Sequence, residues 1–437
     1  GCDMKDQLSV CLLNDSFPPA IDGVANAVMN YARVIQGGLG RAVVGVPDYP
    51  GVTDDYPFPV IRYPSVDTTR IVGYRAGYPF SVRNLAALAD EKPDIIHSHC
   101  PAMSTALART LREQTGAPVV FTYHTKFDID IRRAISGHLL QQTAIRLLVN
   151  NITACDEVWV VSRGAGENLR SLGYQGEYIV MENGVDFPRG RVPQEETEAL
   201  RRELGIPRET PVYLFVGRLM WYKGIRIILD ALKRQQAAGN DFRMVIVGDG
   251  MEREEIEAYA AELGLGDLCR FTGAIRDREK LRTFFSMADL FLFPSTFDTN
   301  GIVVREAAAC GLASVLIRGS CAAEGVAHGQ NALLIEENAQ ALSALLSGPG
   351  RDRAALRRMG DRAMEELYLS WDDSVRMAYR RYGAVLENYR RGITDRSVEW
   401  SDDFYSVMGE LCLGIERARA LRSSLRQRMR ERTAFRE

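Results

Sequence analysis

The sequence lacks several features that would each point to a specialised class of protein. No uninterrupted apolar run reaches the ~20 residues that a membrane-spanning helix requires. Its 8 cysteines are scattered and none forms a Cys-x-x-Cys pair, so neither a zinc site nor a disulfide framework is indicated. Lys and Arg number 54 against 57 Asp and Glu, and the net charge of -3 gives no general attraction to nucleic acid. The first residues also lack the basic and then apolar layout of a secretory signal, so we expect a cytoplasmic protein.

Short apolar runs alternate with helical patterns along most of the chain. A chain of 437 residues exceeds what one hydrophobic core usually supports, which predicts two domains. The predicted strands cover 8–13, 42–46, 94–97, 119–123, 157–161, 178–181, 212–216, 243–247, 269–272, 290–293, 313–317 and 332–335. Helical patterns separate most of them, for example over 131–149 and 224–236. Strands that are apolar on both faces and alternate with helices predict an α/β protein with doubly wound parallel sheets.

A turn-rich segment separates the two halves of the chain. It reads Glu182-Asn183-Gly184-Val185-Asp186-Phe187-Pro188, in which Asn-Gly followed by Asp and Pro is strong turn chemistry. We therefore predict a first domain over 1–184 and a second over 185–371.

Candidate site residues of the first half lie where predicted strands end. Gly23 follows the first strand and would let the backbone approach a phosphate or a sugar, although it also simply fits a turn. The loop has no GxGxxG motif, which argues against dinucleotide binding. His97, His99 and His124 lie at other strand ends, but no ligand spacing among them supports a metal site. Of the three, His124 is the strongest functional candidate, because it lies at the carboxyl edge of the sheet.

Two cations flank the first turn of the second half. The segment Gly217-Arg218-Leu219-Met220-Trp221-Tyr222-Lys223-Gly224 joins a strand to a helix. Arg218 and Lys223 therefore converge with the positive end of a helix, an arrangement suited to a diphosphate. Exposed Arg and Lys in a loop are usually only solvated, but the flanking glycines Gly217 and Gly224 favour the functional interpretation.

Two acids frame a later strand–helix turn. After the apolar run Leu290–Phe293, Asp298 lies in the turn and Glu306 lies eight positions further along the chain, in the helix. Eight residues make a little over two helical turns, so both carboxylates can face one crevice. The first free helix amides, at Asn300, Gly301 and Ile302, would point at a ligand there. A solvated acidic loop and helix is the alternative, because two acids at fixed spacing are weak evidence by themselves.

Taken in order, these motifs resemble those of retaining glycosyltransferases of family 4. That family has two glutamates separated by seven residues, and Asp298 stands here at the first of them. The other matching points are the Gly23 loop, the Tyr-His-Thr turn at His124, Asn183 to Asp186, Gly217 to Gly224, Val247 to Gly250 and Phe271 to Gly273. The resemblance implies the GT-B fold, in which two Rossmann-like domains face a cleft. In that fold a terminal helix returns to the first domain, so helices from 372–437 would complete it.

The resemblance also implies roles for the matching residues. Arg218 and Lys223 would hold the donor diphosphate and stabilise charge on the leaving group, the Gly217 turn would support them, and Glu306 would accept both ribose hydroxyls. Asp298 and the amides of Asn300, Gly301 and Ile302 would contact the transferred sugar and the phosphate. His124 and Gly23 would contact the donor from the first domain, and the backbone near Ile275 would meet the base. Cations and helix amides can do what metal ions do in other glycosyltransferases, so we expect neither a metal nor a cofactor.

Donor, acceptor and assembly are open at this stage. A UDP-sugar such as UDP-glucose is expected before GDP-mannose, and a lipid or a glycan is a candidate acceptor, with peripheral contact at the inner face of the membrane. A basic, narrowly apolar helical pattern over 393–437 favours packing or a homodimer seam over a membrane contact. The alternatives to a transferase are a nucleotide-sugar epimerase or a phosphorylase of the same fold, and a catalytically silent sugar-nucleotide binding protein.

Overall fold

The computed structural model describes residues 7–20, 22–67, 76–77, 81–124, 127, 131–132, 135–298, 301–392 and 424. Contacts between these residues divide the chain into two compact units. Unit 1 comprises the described residues within Gly1–Val161, Ala165–Glu182 and Val375–Glu437. Unit 2 comprises Ser162–Gly164 and the described residues within Asn183–Ser374.

Unit 1 contains a seven-stranded sheet, in which every recorded strand pairing is parallel. A separate two-stranded sheet consists of β4 and β5. The strands of the unit are β1 (Ser9–Leu13), β2 (Arg41–Pro47), β3 (Val60–Tyr63), β4 (Ser65–Val66), β5 (Ala76–Gly77), β6 (Ile95–Ser98), β7 (Val119–Tyr123), β8 (Glu157–Val160) and β9 (Ile179–Val180). The strand order is β3-β2-β1-β6-β7-β8-β9, so the order reverses between β1 and β6. Val10 to Leu13 are buried because helices cover both faces of this central strand.

The helices of this part of the chain follow the strands. They are α1 (Gly23–Val34), α2 (Val82–Asp90), α3 (Met103–Thr115), α4 (His138–Thr153) and α5 (Arg163–Ser171). The last long helix among the described residues, α13 (Trp371–Arg390), carries its C-terminal part back into unit 1. There the hydroxyl of Tyr379 accepts from the amide of Leu8 at 2.6 Å, and Tyr382 is fully buried.

Unit 2 repeats the architecture with six parallel strands in the order β12-β11-β10-β13-β14-β15. The strands are β10 (Val212–Val216), β11 (Arg243–Val247), β12 (Cys269–Gly273), β13 (Leu290–Phe293), β14 (Ser314–Ile317) and β15 (Leu333–Ile335). The helices are α6 (Gln194–Glu203), α7 (Ile225–Ala237), α8 (Arg253–Glu262), α9 (Arg278–Met287), α10 (Ile302–Ala309), α11 (Ala339–Ser347) and α12 (Arg353–Glu366). Phe291 and Phe293 are buried in the centre of one continuous apolar core. The two doubly wound sheets confirm the predicted fold class.

The structure differs from the predicted elements in a few places. Within the helix expected over 131–149, the described residues 131–132 are helical, but 135–137 are not. The long helix begins at His138, directly after Gly137, whose φ of 96 is incompatible with a helix, and it runs to Thr153. The polar stretch from Gln194 forms α6, a helix whose single buried residue is Leu200. Apart from Ser424, the helical pattern predicted over 393–437 lies outside the described residues.

Candidate functional site

In unit 2 the strand order reverses between β10 and β13. These strands are parallel neighbours, with Tyr213 opposite Leu290 and Leu214 opposite Phe291. In open α/β sheets a crevice forms at such a point, outside the carboxyl ends of the strands. The loop 217–224 after β10 and the segment 294–301 after β13 begin at this edge, so the predicted diphosphate and acid motifs emerge side by side.

Lys223 and Asp298 meet at this edge. The Nζ atom of Lys223 donates to Oδ1 of Asp298 at 2.7 Å, and the two side chains are 12% and 25% exposed. Ser295 donates from Oγ to the other carboxylate oxygen at 2.8 Å. Next to this pair, the rings of Tyr222 and Phe297 lie 4.5 Å apart, and both residues are partly exposed. The arrangement is a mostly enclosed ion pair beside an accessible aromatic surface.

Gly224 is what allows these two loops to approach. Its φ is 79, in the left-handed region, and a Cβ at this position would lie 2.2 Å from the carbonyl oxygen of Pro294. Both the backbone angle and the lack of space require glycine here. The close contact brings the preceding residue, Lys223, to the loop that carries Asp298.

Arg218 is exposed in the same loop. Its backbone is held from both sides, because the amide of Gly217 donates to the carbonyl of Val247 at 3.0 Å and the amide of Leu219 donates to the carbonyl of Asp249 at 3.1 Å. Within the described residues the guanidinium of Arg218 makes no ion pair, which leaves its charge accessible to an anion.

Glu306 has a different cation as its partner. Arg278, the first residue of α9, donates to Oε2 of Glu306 at 3.0 Å and lies 4.0 Å from a carboxylate oxygen of Asp186. The guanidinium also lies over the ring of Phe187, 4.3 Å from its centre. Burial raises the pKa of Glu306 above its ordinary value, while Arg278 acts in the opposite direction. Glu306 is therefore a shielded carboxylate whose charge depends on one half-exposed arginine.

Two of the other predicted donor contacts are also described in unit 2. Gly301 is the N-cap of α10, and Ile302, 39% exposed, is its first residue, so the first-turn amides have no acceptor within the helix. Ile275 follows β12 and packs partly buried against the core of unit 2. Asn300 lies outside the described residues.

In unit 1, His124 directly follows β7 and is only 6% exposed. Its Nε2 lies 2.8 Å from Nδ1 of His99, which follows β6. His97 is fully buried, with Nδ1 2.5 Å from the hydroxyl of Tyr382 and Nε2 2.6 Å from the hydroxyl of Thr122. Burial lowers the pKa of His124 to about 3 and places that of His97 and His99 well below the ordinary value. All three imidazoles are neutral at physiological pH.

Gly23 is the first residue of α1, capped by the side chain of Asp22, which accepts from the amide of Ala25. A Cβ on Gly23 would meet nothing within 4 Å, so its surroundings are open. The structure thus leaves room for a ligand at this helix start but contains no contact that requires a glycine.

Metal ligands and membrane-spanning helices are not found in the described part of the chain. Its histidine, cysteine and acidic side chains form no group that could hold a metal ion. None of its helices has the length and apolar character needed to cross a membrane. The six cysteines in this part are all free thiols.

Some residues of the site escaped sequence reasoning. Arg278 is separated from Glu306 by 28 positions, and a helix-start arginine is usually solvated. Ser295 and the aromatic pair Tyr222–Phe297 likewise carry no pattern of their own. His99 was recognised as a strand-end histidine, but its contact with His124 was not predicted. The one available signal was position: each of these residues follows a predicted strand or starts a predicted helix at the carboxyl edge.

Comparisons with known families and proteins agree with this geometry. Residues 21–189 match the family described as Glycosyltransferase Family 4, and residues 196–365 match the family described as Glycosyl transferases group 1. The chain is 33% identical over 287 residues to the 2-deoxystreptamine glucosyltransferase of Streptomyces kanamyceticus, covering 60% of this chain and 71% of the relative. It is 24% identical to the alpha-monoglucosyldiacylglycerol synthase of Streptococcus pneumoniae, over 70% of each chain.

A solved structure supports the same fold. The crystal structure of Anabaena HepE in complex with UDP-glucose has a TM-score of 0.63 and 20% sequence identity, and the match covers 87% of this chain and 100% of that chain. At this identity the similarity concerns the fold.

Proposed function

Because this chain belongs to glycosyltransferase family 4, we propose that it transfers a hexose from a UDP-sugar to an acceptor hydroxyl, with retention at the anomeric carbon and without a metal ion. The chain is a hexosyltransferase of the GT-B fold that uses a nucleotide-sugar donor. The proposal concerns the finer points, namely the donor, the stereochemistry, the acceptor and the residues that carry the reaction.

The observation that carries the proposal is the grouping of charges after β10 and β13. Arg218 is exposed and without an ion pair among the described residues, and Lys223 is held 2.7 Å from Asp298 at the point where the strand order reverses. A diphosphate presents two adjacent negative groups that these cations fit. As the sugar departs, charge develops on the diphosphate, and fixed positive groups that stabilise it lower the barrier. Arg218, Lys223 and the first amides of α10 would supply that stabilisation without a metal.

The rest of the donor would extend from this point. Asp298 would accept from hydroxyls of the transferred hexose, with His124 as a further contact to sugar or phosphate. Glu306 would accept from the two ribose hydroxyls, and the backbone near Ile275 would meet the base. The described residues offer no clear nucleophile for a double displacement, so departure and attack on one face of the sugar is the proposed path.

UDP-glucose is the proposed donor because two relatives are named as a glucosyltransferase and a monoglucosyldiacylglycerol synthase, and because the HepE structure contains UDP-glucose. A lipid or a glycan hydroxyl is the proposed acceptor. The alternative is a catalytically silent protein that binds the sugar nucleotide, and the release of nucleoside diphosphate distinguishes it from a transferase.

The test measures nucleoside diphosphate release from a panel of UDP- and GDP-sugars, with and without EDTA, for the wild type and single variants. We expect Arg218→Ala and Lys223→Ala to lower kcat/KM for the donor by about 10²–10³-fold, because each removes a charge that stabilises the leaving group. Lys233→Ala is the matched control, since Lys233 is an exposed lysine of α7 that bonds only Gln236 among the described residues.

The outcomes separate the candidate functions. Binding of a UDP-sugar without release of UDP, over a broad set of acceptors, would identify a silent binding protein. Loss of activity in EDTA that Mg²⁺ restores would contradict the metal-independent reaction. If Lys223→Ala were as active as the control Lys233→Ala, Lys223 would have no role in binding the diphosphate.

Peripheral membrane contact is a further part of the proposal. Leu139 and Leu140, at the start of α4, are 80% and 63% exposed, and Arg146 is exposed on the same helix. Apolar side chains beside a cation suit the surface of an anionic bilayer. We expect Leu139→Ser/Leu140→Ser to reduce sedimentation with vesicles that contain anionic lipid, while Val82→Ser, which changes a 61% exposed residue of α2, does not. Equal sedimentation of all three proteins would contradict this contact. A homodimer through 393–437 stays a prediction.

A further inference from the structure

Unit 2 also contains an arginine-lined cavity of about 610 Å³. Its walls come from α6, from the end of α9, from α12 and from Ala288 and Asp289, which directly precede β13. Asp298, in contrast, follows β13, so the cavity lies at the amino edge of the sheet and not at the carboxyl edge where we propose that the donor binds. Small-molecule sites typically have volumes of roughly 300–1,000 Å³. The cavity is therefore a candidate site separate from the one described above.

Positive side chains outnumber negative ones around this cavity. The arginines of the lining are Arg191, Arg201, Arg208, Arg353 and Arg357. The acids of the lining are Glu198 and Asp289, and Asp361, which pairs with Arg191 at 2.5 Å, adds a third carboxylate. Five guanidinium groups are thus accompanied by three carboxylates, which leaves an excess of two positive charges.

Two of these arginines are fixed in the cavity wall by one carboxylate. Arg353 donates from Nε to Asp289 at 2.9 Å, and a terminal nitrogen of Arg201 lies 3.5 Å from the other oxygen of this carboxylate. The Arg201 side chain is 12% exposed. Burial lowers the pKa of its guanidinium, while Asp289 opposes this effect and the charge of Arg353 adds to it. A single carboxylate thus balances two cations, which leaves positive charge in this wall.

Arg191 is built into the wall between two glycines. Its guanidinium donates to the carbonyl of Gly311 at 2.8 Å, and a Cβ on Gly311 would lie 2.6 Å from the guanidinium carbon. A Cβ on Gly360 would lie 3.3 Å from a nitrogen of the same guanidinium and 2.0 Å from the carbonyl oxygen of Gly311. Side chains at these positions would therefore displace Arg191 or the neighbouring backbone. The two glycines leave the space that this cation occupies.

Two further arginines carry charge that the protein barely neutralises. Arg357 is exposed on α12, and its guanidinium makes no ion pair and no hydrogen bond with the described residues. Arg208 pairs with Glu198 at 3.1 Å, but its side chain is 80% exposed, and such surface pairs contribute little. Contacts that fasten the helices to the sheet explain Arg201 and Arg353, whereas they do not explain Arg357.

We propose that this cavity binds a small molecule that carries a phosphate group, with the phosphate held by Arg357 and Arg208 next to the fixed arginines. A guanidinium donates through a planar fork that matches the oxygens of a phosphate. A phosphate monoester carries about −1.5 to −2 charges at neutral pH, which matches the excess of positive charge. Val192 and Met287 supply an apolar part of the lining, against which an organic group can pack. Such a site is independent of the transferase reaction.

Titration calorimetry of the full chain tests the site, with inorganic phosphate and ribose 5-phosphate as probes at constant ionic strength and with excess UDP to occupy the donor site. We expect the wild type to bind a probe with a Kd below about 1 mM. Arg357→Ala and Arg208→Ala should each weaken this binding by at least about tenfold, because each removes a charged hydrogen-bond donor. Arg358→Ala is the matched control, since it changes the next exposed arginine of α12, which does not line the cavity, and it should bind as the wild type does.

The two probes distinguish two sources of the phosphate. Tighter binding of ribose 5-phosphate than of inorganic phosphate would support a phosphate ester as the ligand, with its sugar packed on the apolar part of the lining. Equal binding of the two probes would support free phosphate as the ligand.

The site does not exist if neither probe binds at about 10 mM, or if Arg357→Ala and Arg358→Ala bind the probes equally. Binding that is lost in Arg218→Ala and kept in Arg357→Ala would also overturn the proposal, because the phosphate would then occupy the predicted diphosphate site. Without ligand, Arg357→Ala should unfold at the wild-type temperature, since the side chain has no partner among the described residues to lose. If the wild type releases no UDP from any sugar nucleotide, the proposed function fails, while the phosphate affinity and its loss in Arg357→Ala remain.

Discussion

At the scale of single residues, the site depends on charges that are partly removed from water. Glu306 is 14% exposed at its side chain and depends on Arg278 to remain ionised. Its pKa is raised by burial, so the ionised form is costly in the folded protein at neutral pH. The carboxylate that we propose to accept from the ribose hydroxyls thus lowers the stability of the element that carries it, which is common at functional sites.

Replacing Glu306 by Gln tests this cost. Because the folded pKa is raised, protonated Glu306 favours the fold, and that advantage is lost as pH rises through the folded pKa. Glu306→Gln should therefore be more stable than the wild type above that pKa, by up to about 1 kcal/mol, and equally stable at low pH. Thermal unfolding between pH 4 and pH 8 measures this difference. Glu262→Gln, which changes an exposed acid of α8, is the matched control for the loss of one carboxylate.

The same substitution changes donor affinity. In the wild type, the affinity for a UDP-sugar should fall as pH is lowered, since protonation of Glu306 removes the charge of the proposed acceptor for the ribose hydroxyls. In Glu306→Gln the affinity should be at least about tenfold weaker at neutral pH and independent of pH over this range. Calorimetric titration gives both values. A pH-dependent affinity that persists in Glu306→Gln would assign the titration to another group.

At the scale of elements, the loop after β10 is shaped by contacts that no residue pattern encodes. Gly224 has a φ of 79 and lies against the backbone of Pro294, whereas Gly239 has nearly the same φ of 76 with nothing within 4 Å of its Cβ position. Alanine at either position introduces the left-handed strain of about 1–3 kcal/mol. Only at position 224 does it also collide with the neighbouring loop.

The pair of variants separates strain from collision. Gly224→Ala should lower the free energy of unfolding by more than Gly239→Ala does, and it alone should reduce donor turnover, because the collision displaces Lys223 from Asp298. Denaturant unfolding and UDP release measure the two effects. Equal destabilisation with unchanged turnover in both variants would mean that the loop relaxes without moving Lys223.

The loop after β10 also shows which features of the fold and of the site the sequence predicts and which it does not. Alternating apolar runs were sufficient to predict the second sheet and all strands of the first sheet except the edge strand β3 (Val60–Tyr63), because buried parallel strands have a strong signature. Position at strand ends was sufficient to nominate Arg218, Lys223 and Asp298. The partners that orient them were not predictable. Arg278 contacts Glu306 across 28 positions, and the carbonyls of Val247 and Asp249 hold the 217–219 backbone. Such contacts depend on how neighbouring strands align, which residue spacing does not specify.

At the scale of the whole molecule, the two units differ in how the chain builds them. Unit 2 comes mainly from one continuous stretch, whereas unit 1 needs the end of α13 to complete its core. Tyr382 of this helix is fully buried, bonds His97 at 2.5 Å and stacks with Trp159 at 5.3 Å. Arg381 of the same helix pairs with Glu157 at the start of β8. A segment distant in sequence thus packs against the first sheet and completes the core of unit 1.

The variant Tyr382→Ala tests whether the units lose stability independently. Removing a large buried side chain should cost about 3–5 kcal/mol. The loss should fall on unit 1 because the recorded ring contacts of Tyr382, with His97, Trp159 and Tyr379, lie there. Hydrogen–deuterium exchange should accelerate in β6, β7 and β8 while the strands of unit 2 stay protected, and UDP should still bind. Val180→Ala, in the same unit at a residue that is 42% exposed, is the control and should leave both patterns unchanged. If exchange in β10–β15 rose as much as in unit 1, the two units would unfold as one cooperative body, and nucleotide binding would then depend on the helix that completes the other sheet.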